Sequence, residues 1–111
     1  MSLDEFQNLM KRLYFKRDSL RGVTGTFLWF IEEIGELAKA IKSGDHQLME
    51  SEFADVLAWL SSLANLLNVN LSKAAFNKYK DVCPKCKKIP CECEERFFFG
   101  KNKYYSDKGF H

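Results

Sequence analysis

Four successive segments of the chain repeat their apolar residues every three or four positions with only short breakers between them, which commits most of its length to amphipathic helices packed together. The first carries Leu3, Phe6, Leu9, Met10, Leu13 and Tyr14, with Ser2 and Glu5 at capping-box spacing. Arg21-Gly22-Val23-Thr24-Gly25-Thr26 then interrupts the period with two glycines. Thr24 or Thr26 is expected to cap a second helix running to about Lys42. Ser43-Gly44-Asp45-His46 has the length of a turn between antiparallel helices. From Gln47 to about Leu67 the apolar positions are Met49, Phe53, Val56, Leu57, Leu60, Leu63, Ala64 and Leu67. Asn70 is placed to cap a shorter fourth helix, Leu71 to Lys80, with Leu71, Ala74, Ala75 and Phe76 turned inward. The expectation is an all-α four-helix bundle over residues 1–80, followed by a tail over residues 81–111 that contains both prolines and all four cysteines.

A chain of 111 residues is one domain of ordinary size and too short for a large self-contained enzyme. A deep site in so small a bundle calls for a metal or a second subunit. The longest apolar stretch, Thr26 to Ile31, is closed by Glu32 and Glu33, far below the ~20 residues of a membrane span. Met1 to Arg12 contains Asp4 and Glu5 and has no apolar run of the secretory kind, so the chain reads as cytoplasmic. The net charge is +2: residues 1–80 hold ten basic and ten acidic side chains, residues 81–111 seven and five. Four zinc-bound thiolates would bring the tail to neutrality, which argues against a nucleic-acid partner.

The chemistry is carried by carboxylates. Glu33 and Glu36 are three apart, as are Glu52 and Asp55, so each pair shares one helix face. Each pair lies beside residues that turn inward in a bundle: Ile34 and Leu37 for the first, Phe53 and Val56 for the second. If the two helices pack antiparallel through the Ser43 to His46 turn, Glu36 and Glu52 face each other and four carboxylates converge. Like charges ~4 Å apart repel by ~4 kcal/mol at an effective dielectric of 20, so protons or cations must lie among them. An all-oxygen donor set suits Mg²⁺ or Mn²⁺. The plainer alternative for any one such pair is a solvated face matched with lysines, and Glu32 and Glu50 fit it.

Glu33-Ile34-Gly35-Glu36, followed after fifteen residues by Glu52-Phe53-Ala54-Asp55, resembles the ExxE…ExxD signature of the MazG-like all-α nucleotide pyrophosphohydrolases. The resemblance extends over about residues 3 to 80, through Tyr14 to Asp18, Arg21-Gly22, Trp29 to Leu37 and Asp55 to Leu60. It implies hydrolysis of a nucleoside triphosphate between the α- and β-phosphates, giving a monophosphate and pyrophosphate, in the housekeeping of nucleotide pools. Glu33, Glu36, Glu52 and Asp55 would hold Mg²⁺, and one glutamate would take the proton of the attacking water.

Lys73 and Asn77, four apart on the last helix, resemble family positions near the phosphates and sugar; an exposed lysine and a capping-type asparagine are the plainer alternative. Arg17 and Arg21 are further candidates for phosphate, which a guanidinium can bind bidentately. Trp29 is a candidate to stack on a base, whereas Trp59 fits the core better. Family members form homodimers or dimer-based tetramers, which matches the shortage of core here. The apolar run Phe27 to Ile31 is expected at such an interface.

Cys83-x-x-Cys86 and Cys91-x-Cys93 place four sulfurs within eleven residues, enough for one tetrahedral zinc ion. Two disulfides are the competing account. The closeness of the cysteines, the cytoplasmic reading and Lys85, Lys87 and Lys88, which favour thiolates, weigh toward zinc. The spacing is that of a small structural clip, shorter than the ~15–20 residues between the knuckles of a zinc ribbon. Some MazG-like chains carry a similar tail. His46 and His111 read as a loop residue and a terminal one. A reading of another class remains beside the enzyme: a non-catalytic zinc-clip helical module that binds protein or nucleic acid through its aromatic tail, Phe97 to His111.

Overall fold

A computed structural model describes residues 1–94. The described residues form three helices and no strand: α1, Leu3–Ser43; α2, His46–Leu66; and α3, Leu71–Lys78. They fall into two compact units, Met1–Ala74 and the chain from Ala75 onward.

The helix ends follow the local chemistry of their sequences. Ser2 Oγ accepts from the Glu5 backbone N–H at 3.0 Å while the Ser2 N–H donates to Glu5 Oε1 at 2.8 Å, a complete capping box. Asp4 and Glu5 also place negative charge at the positive end of the helix dipole. Gly44 closes α1 at φ 77°, a left-handed conformation that costs glycine little, and Asp45 caps α2 by accepting from the Leu48 N–H at 3.2 Å. Asn70 caps α3 through the Lys73 N–H at 2.8 Å.

The expected gap between a first and a second helix is not a gap. α1 runs for 41 residues, and only Gly22, at φ 86° and ψ 170°, leaves the helical region. One residue kinks the helix and re-aims its second part, so no threonine cap is needed. Thr26 is instead fully buried inside the helix. In place of four helices, the described chain therefore has three, the first bent.

α1 and α2 pack against each other along their lengths. Their junction near the start of α1 is polar. The Gln7 side-chain amide donates to Val69 O at 2.7 Å and Asn65 Oδ1 at 3.0 Å, its oxygen accepts from the Leu71 N–H at 2.9 Å, and Asn65 Nδ2 returns a bond to Gln7 O at 3.2 Å. This knot ties the first turns of α1 to the end of α2 and the start of α3.

The apolar core is small: Met10, Ala40 and Ala64 are the buried hydrophobic residues. Phe27, Leu28, Trp29, Ile31 and Ile34 along α1, and Phe53 on α2 at 58% exposure, stay largely in solvent. The inward face expected for α3 is not realised either, since Ala74 and Ala75 are exposed and Phe76 is 70% exposed. Two turns of helix bury an apolar face only where another helix covers it. Among the described residues no helix is long and apolar enough to cross a membrane.

Candidate functional site

The α1–α2 turn returns the second helix alongside the first, so that carboxylates on either side of it meet. Glu33 of α1 and Glu52 and Asp55 of α2 each offer an oxygen within 4.8 Å of the others. Glu33 and Glu52 are half-buried and Asp55 is exposed, so the cluster opens outward through Asp55. Burial and the charges of Asp55, Glu52, Glu36 and Glu32 push the pKa of Glu33 above the usual glutamate value.

Two observations bear on what such a cluster can hold. Glu52 Oε1 is buried with no hydrogen-bond partner, an arrangement that disfavours the empty site. The converging donors are all carboxylate oxygens, hard ligands that fit Mg²⁺ or Mn²⁺. Glu36, the fourth expected ligand, stands apart from this group and pairs with Lys39, Nζ to Oε2 3.5 Å, on a partly exposed surface.

A cavity of about 270 Å³ adjoins the cluster and shares Asp55 with it. Both arginines expected to meet phosphate, Arg17 and Arg21, line it, with Tyr14, Asp18, Ala58, Trp59 and Ser62. Arg21 is held from three sides: Nη1 donates to Asp18 Oδ1 at 2.8 Å and lies 3.4 Å from Thr26 Oγ1, and the guanidinium sits 4.8 Å over the Trp59 ring. Gly25 makes this path possible, because a Cβ there would lie 2.8 Å from the Arg21 side chain. Trp29 is 49% exposed and stacks on Trp59 with ring centroids 5.8 Å apart, outside the cavity lining. Trp59, expected in the core, is half-buried and forms a wall of the cavity. Lys73, on the first turn of α3, and Asn77, one turn later, are both exposed.

Asp18 carried no sequence signal beyond its neighbourhood, yet it is 2% exposed and its Oδ2 has no partner. Gln7 was equally silent. An isolated polar residue inside an amphipathic period looks like a surface position until the packing is known.

The unit from Ala75 onward contains its own cluster. The four sulfurs of Cys83, Cys86, Cys91 and Cys93 all lie within 4.8 Å of one another, with Cys83 and Cys93 at 3.7 Å and Cys86 and Cys91 at 3.9 Å. A disulfide requires ~2.05 Å, whereas a tetrahedron of Zn–S bonds of ~2.3 Å has edges of ~3.8 Å. All four cysteines are free. Local backbone shapes the cluster: Lys87, at φ 65°, donates to Cys83 O at 2.7 Å, and the Cys83 N–H donates to Lys88 O at 3.0 Å. The N–H groups of Glu92 and Cys93 point at Cys86 Sγ and Cys91 Sγ, each at 3.3 Å. Backbone N–H groups of Cys86 and Lys85 pull the Cys83 pKa down to about 6. His46 opens α2 and sits 3.2 Å from Glu50, away from either cluster's donor set. The aromatic segment from Phe97 to His111 lies outside the described residues.

No curated protein matches the chain. Residues 21–87, more than half of its length, match the family described as the MazG nucleotide pyrophosphohydrolase domain. The all-helical fold agrees with that match, and the chain belongs to the MazG nucleotide pyrophosphohydrolase domain family.

Proposed function

We propose that this protein hydrolyses nucleoside or deoxynucleoside triphosphates to the monophosphate and pyrophosphate, using Mg²⁺ or Mn²⁺, as a housekeeping enzyme of cytoplasmic nucleotide pools. The observation that carries the reading is the meeting of Glu33, Glu52 and Asp55 around a buried, unpartnered Glu52 oxygen in a chain of this family.

A divalent cation bound there supplies polarisation of the phosphate oxygens and acidifies the attacking water. Glu33, Glu52 and Asp55 would hold it, with Glu36, one turn from Glu33, as the fourth proposed ligand. Arg17 and Arg21, at the adjoining cavity, neutralise phosphate charge. Lys73 and Asn77 are assigned to the phosphates and sugar on the family resemblance of their positions alone. Trp29, stacked on Trp59, is a support for a base or for the wall behind it. A glutamate of the cluster accepts the proton of the attacking water.

The reading includes a homodimer or dimer-based tetramer. Its support is the apolar surface along α1, where Phe27, Leu28, Trp29, Ile31 and Ile34 remain in solvent in the single chain. Zn²⁺ occupies the second centre, on Cys83, Cys86, Cys91 and Cys93, as a structural clip; the sulfur spacing supports it.

The test is product analysis across ribo- and deoxyribonucleoside triphosphates with Mg²⁺, with Mn²⁺ and with chelator. Metal-dependent monophosphate and pyrophosphate are expected. Orthophosphate would contradict the assigned bond, and silence from folded, zinc-loaded protein would favour the non-catalytic binding module instead.

A further inference from the structure

The four cysteines are gathered alike but not covered alike. Cys83 and Cys93, 3.7 Å apart, form the partly buried side of the cluster, whereas Cys86 and Cys91, 3.9 Å apart, form its exposed side. Cys91 is the exposed residue of the four, and the other three are half-buried. Structural cysteines sealed in a protein interior are inert, but an accessible sulfur with a second one beside it is open to oxidants.

The exposed pair is also held in place for a bond between its members. The Glu92 N–H points at Cys86 Sγ and the Cys93 N–H at Cys91 Sγ, each at 3.3 Å, which fixes where both sulfurs lie. Four residues separate Cys86 from Cys91, so closing their gap of 3.9 Å to the ~2.05 Å of a disulfide is a change within one short loop.

We propose that Cys86 and Cys91 are an oxidative modification site, at which hydrogen peroxide joins them in a disulfide and the clip gives up its zinc ion. The Cys91 thiolate attacks a peroxide oxygen, the O–O bond breaks, hydroxide leaves and Cys91 becomes a sulfenic acid. The Cys86 thiolate then attacks the Cys91 sulfur, the S–O bond breaks and a second hydroxide leaves. The two sulfurs together lose two electrons and the peroxide gains them; two protons from solvent turn both hydroxides into water. Zinc is left with Cys83 and Cys93 alone, half of a tetrahedral ligand set, and dissociates. Thiol–disulfide exchange with a dithiol restores the pair. None of this rests on the pyrophosphohydrolase reading, and formation of the disulfide itself needs no metal.

The experiment treats the full zinc-loaded chain with one equivalent of hydrogen peroxide, follows released zinc with a chromogenic chelator, alkylates the remaining thiols and maps the disulfide by mass spectrometry. Trypsin cleaves after Lys85, Lys87 and Lys88, which puts Cys83, Cys86 and the Cys91–Cys93 pair on separate peptides, and fragmentation tells Cys91 from Cys93. The Cys86–Cys91 disulfide is expected first, with one zinc ion released per disulfide and the loaded protein recovered by dithiothreitol and added zinc. A first disulfide between any other pair, sulfinic and sulfonic acids without a disulfide, or zinc retained through excess peroxide would overturn the proposal. Cys91→His, whose imidazole can ligate zinc but cannot become a sulfenic acid, should lose zinc at least tenfold more slowly, and loss at the wild-type rate would also overturn it. If that variant does not fold or load, the order of disulfides in wild type decides alone. Protein that carries no zinc would end the clip reading, and the same map on the metal-free chain would still decide whether Cys86 and Cys91 pair first.

Discussion

The two clusters gather ligand atoms to the same closeness, within 4.8 Å, by opposite routes. The cysteines are brought together by eleven consecutive residues and the hydrogen bonds of their own turns. The carboxylates come from two helices and meet only because α1 and α2 pack after the Gly44 turn. A local site depends on its own loop; a site between helices inherits every error in their packing. The donors differ as well: soft sulfurs spaced as a zinc tetrahedron on one side, hard oxygens in mutual repulsion on the other.

That contrast breaks first at the carboxylates. Glu52→Gln or Asp55→Asn should lower kcat/KM by at least about 100-fold while zinc content stays unchanged, because one metal ligand is lost and the fold is not. Activity within a few-fold of wild type in both variants would remove these residues from the site. The cysteine counterpart is the double variant Cys83→Ser, Cys86→Ser. Zinc should fall from one ion per chain to none, with faster proteolysis over residues 75–94 and a much smaller change in turnover. Protein purified without chelator and carrying no zinc would contradict the clip.

Packing sensitivity should appear only on the helical side. Gln7→Ala leaves Val69 O, Asn65 Oδ1 and the Leu71 N–H without their partner and should destabilise the protein by about 2 kcal/mol, roughly 10 °C in Tm. The smallest effect concerns Glu33. Because its pKa is raised in the folded state by burial and by Asp55, Glu52, Glu36 and Glu32, protonation stabilises the metal-free fold. That contribution is full below pH 4.5, the unfolded value, and is lost as pH rises through the folded value. Glu33→Gln should therefore raise the metal-free Tm at neutral pH and flatten its pH dependence.

What could be read from the sequence follows the same division between local and packed. The Ser2–Glu5 capping box, the Gly44 turn, the Asn70 cap and the cysteine grouping depend on neighbours a few residues away, and all are found. The two carboxylate pairs were visible because their spacing repeats on consecutive helices, and three of the four meet. Glu36 stands outside the group and pairs instead with Lys39, three residues on. Gly22 showed as a break, but whether a glycine ends a helix or bends it depends on what the next turn packs against. Thr26 is buried where a cap was expected for that reason. Gln7 and Asp18 have no spacing signature at all; their roles come from Val69, Asn65 and Leu71 for the one and from Arg21 and the cavity for the other.

Thermal unfolding of zinc-loaded protein with and without added Mn²⁺ tests, without substrate, whether Glu33, Glu52 and Asp55 hold a divalent ion. Mn²⁺ should raise the Tm of wild type in a saturable way and leave that of Asp55→Asn nearly unmoved. Equal shifts in the two proteins, or none in wild type, would contradict that assignment.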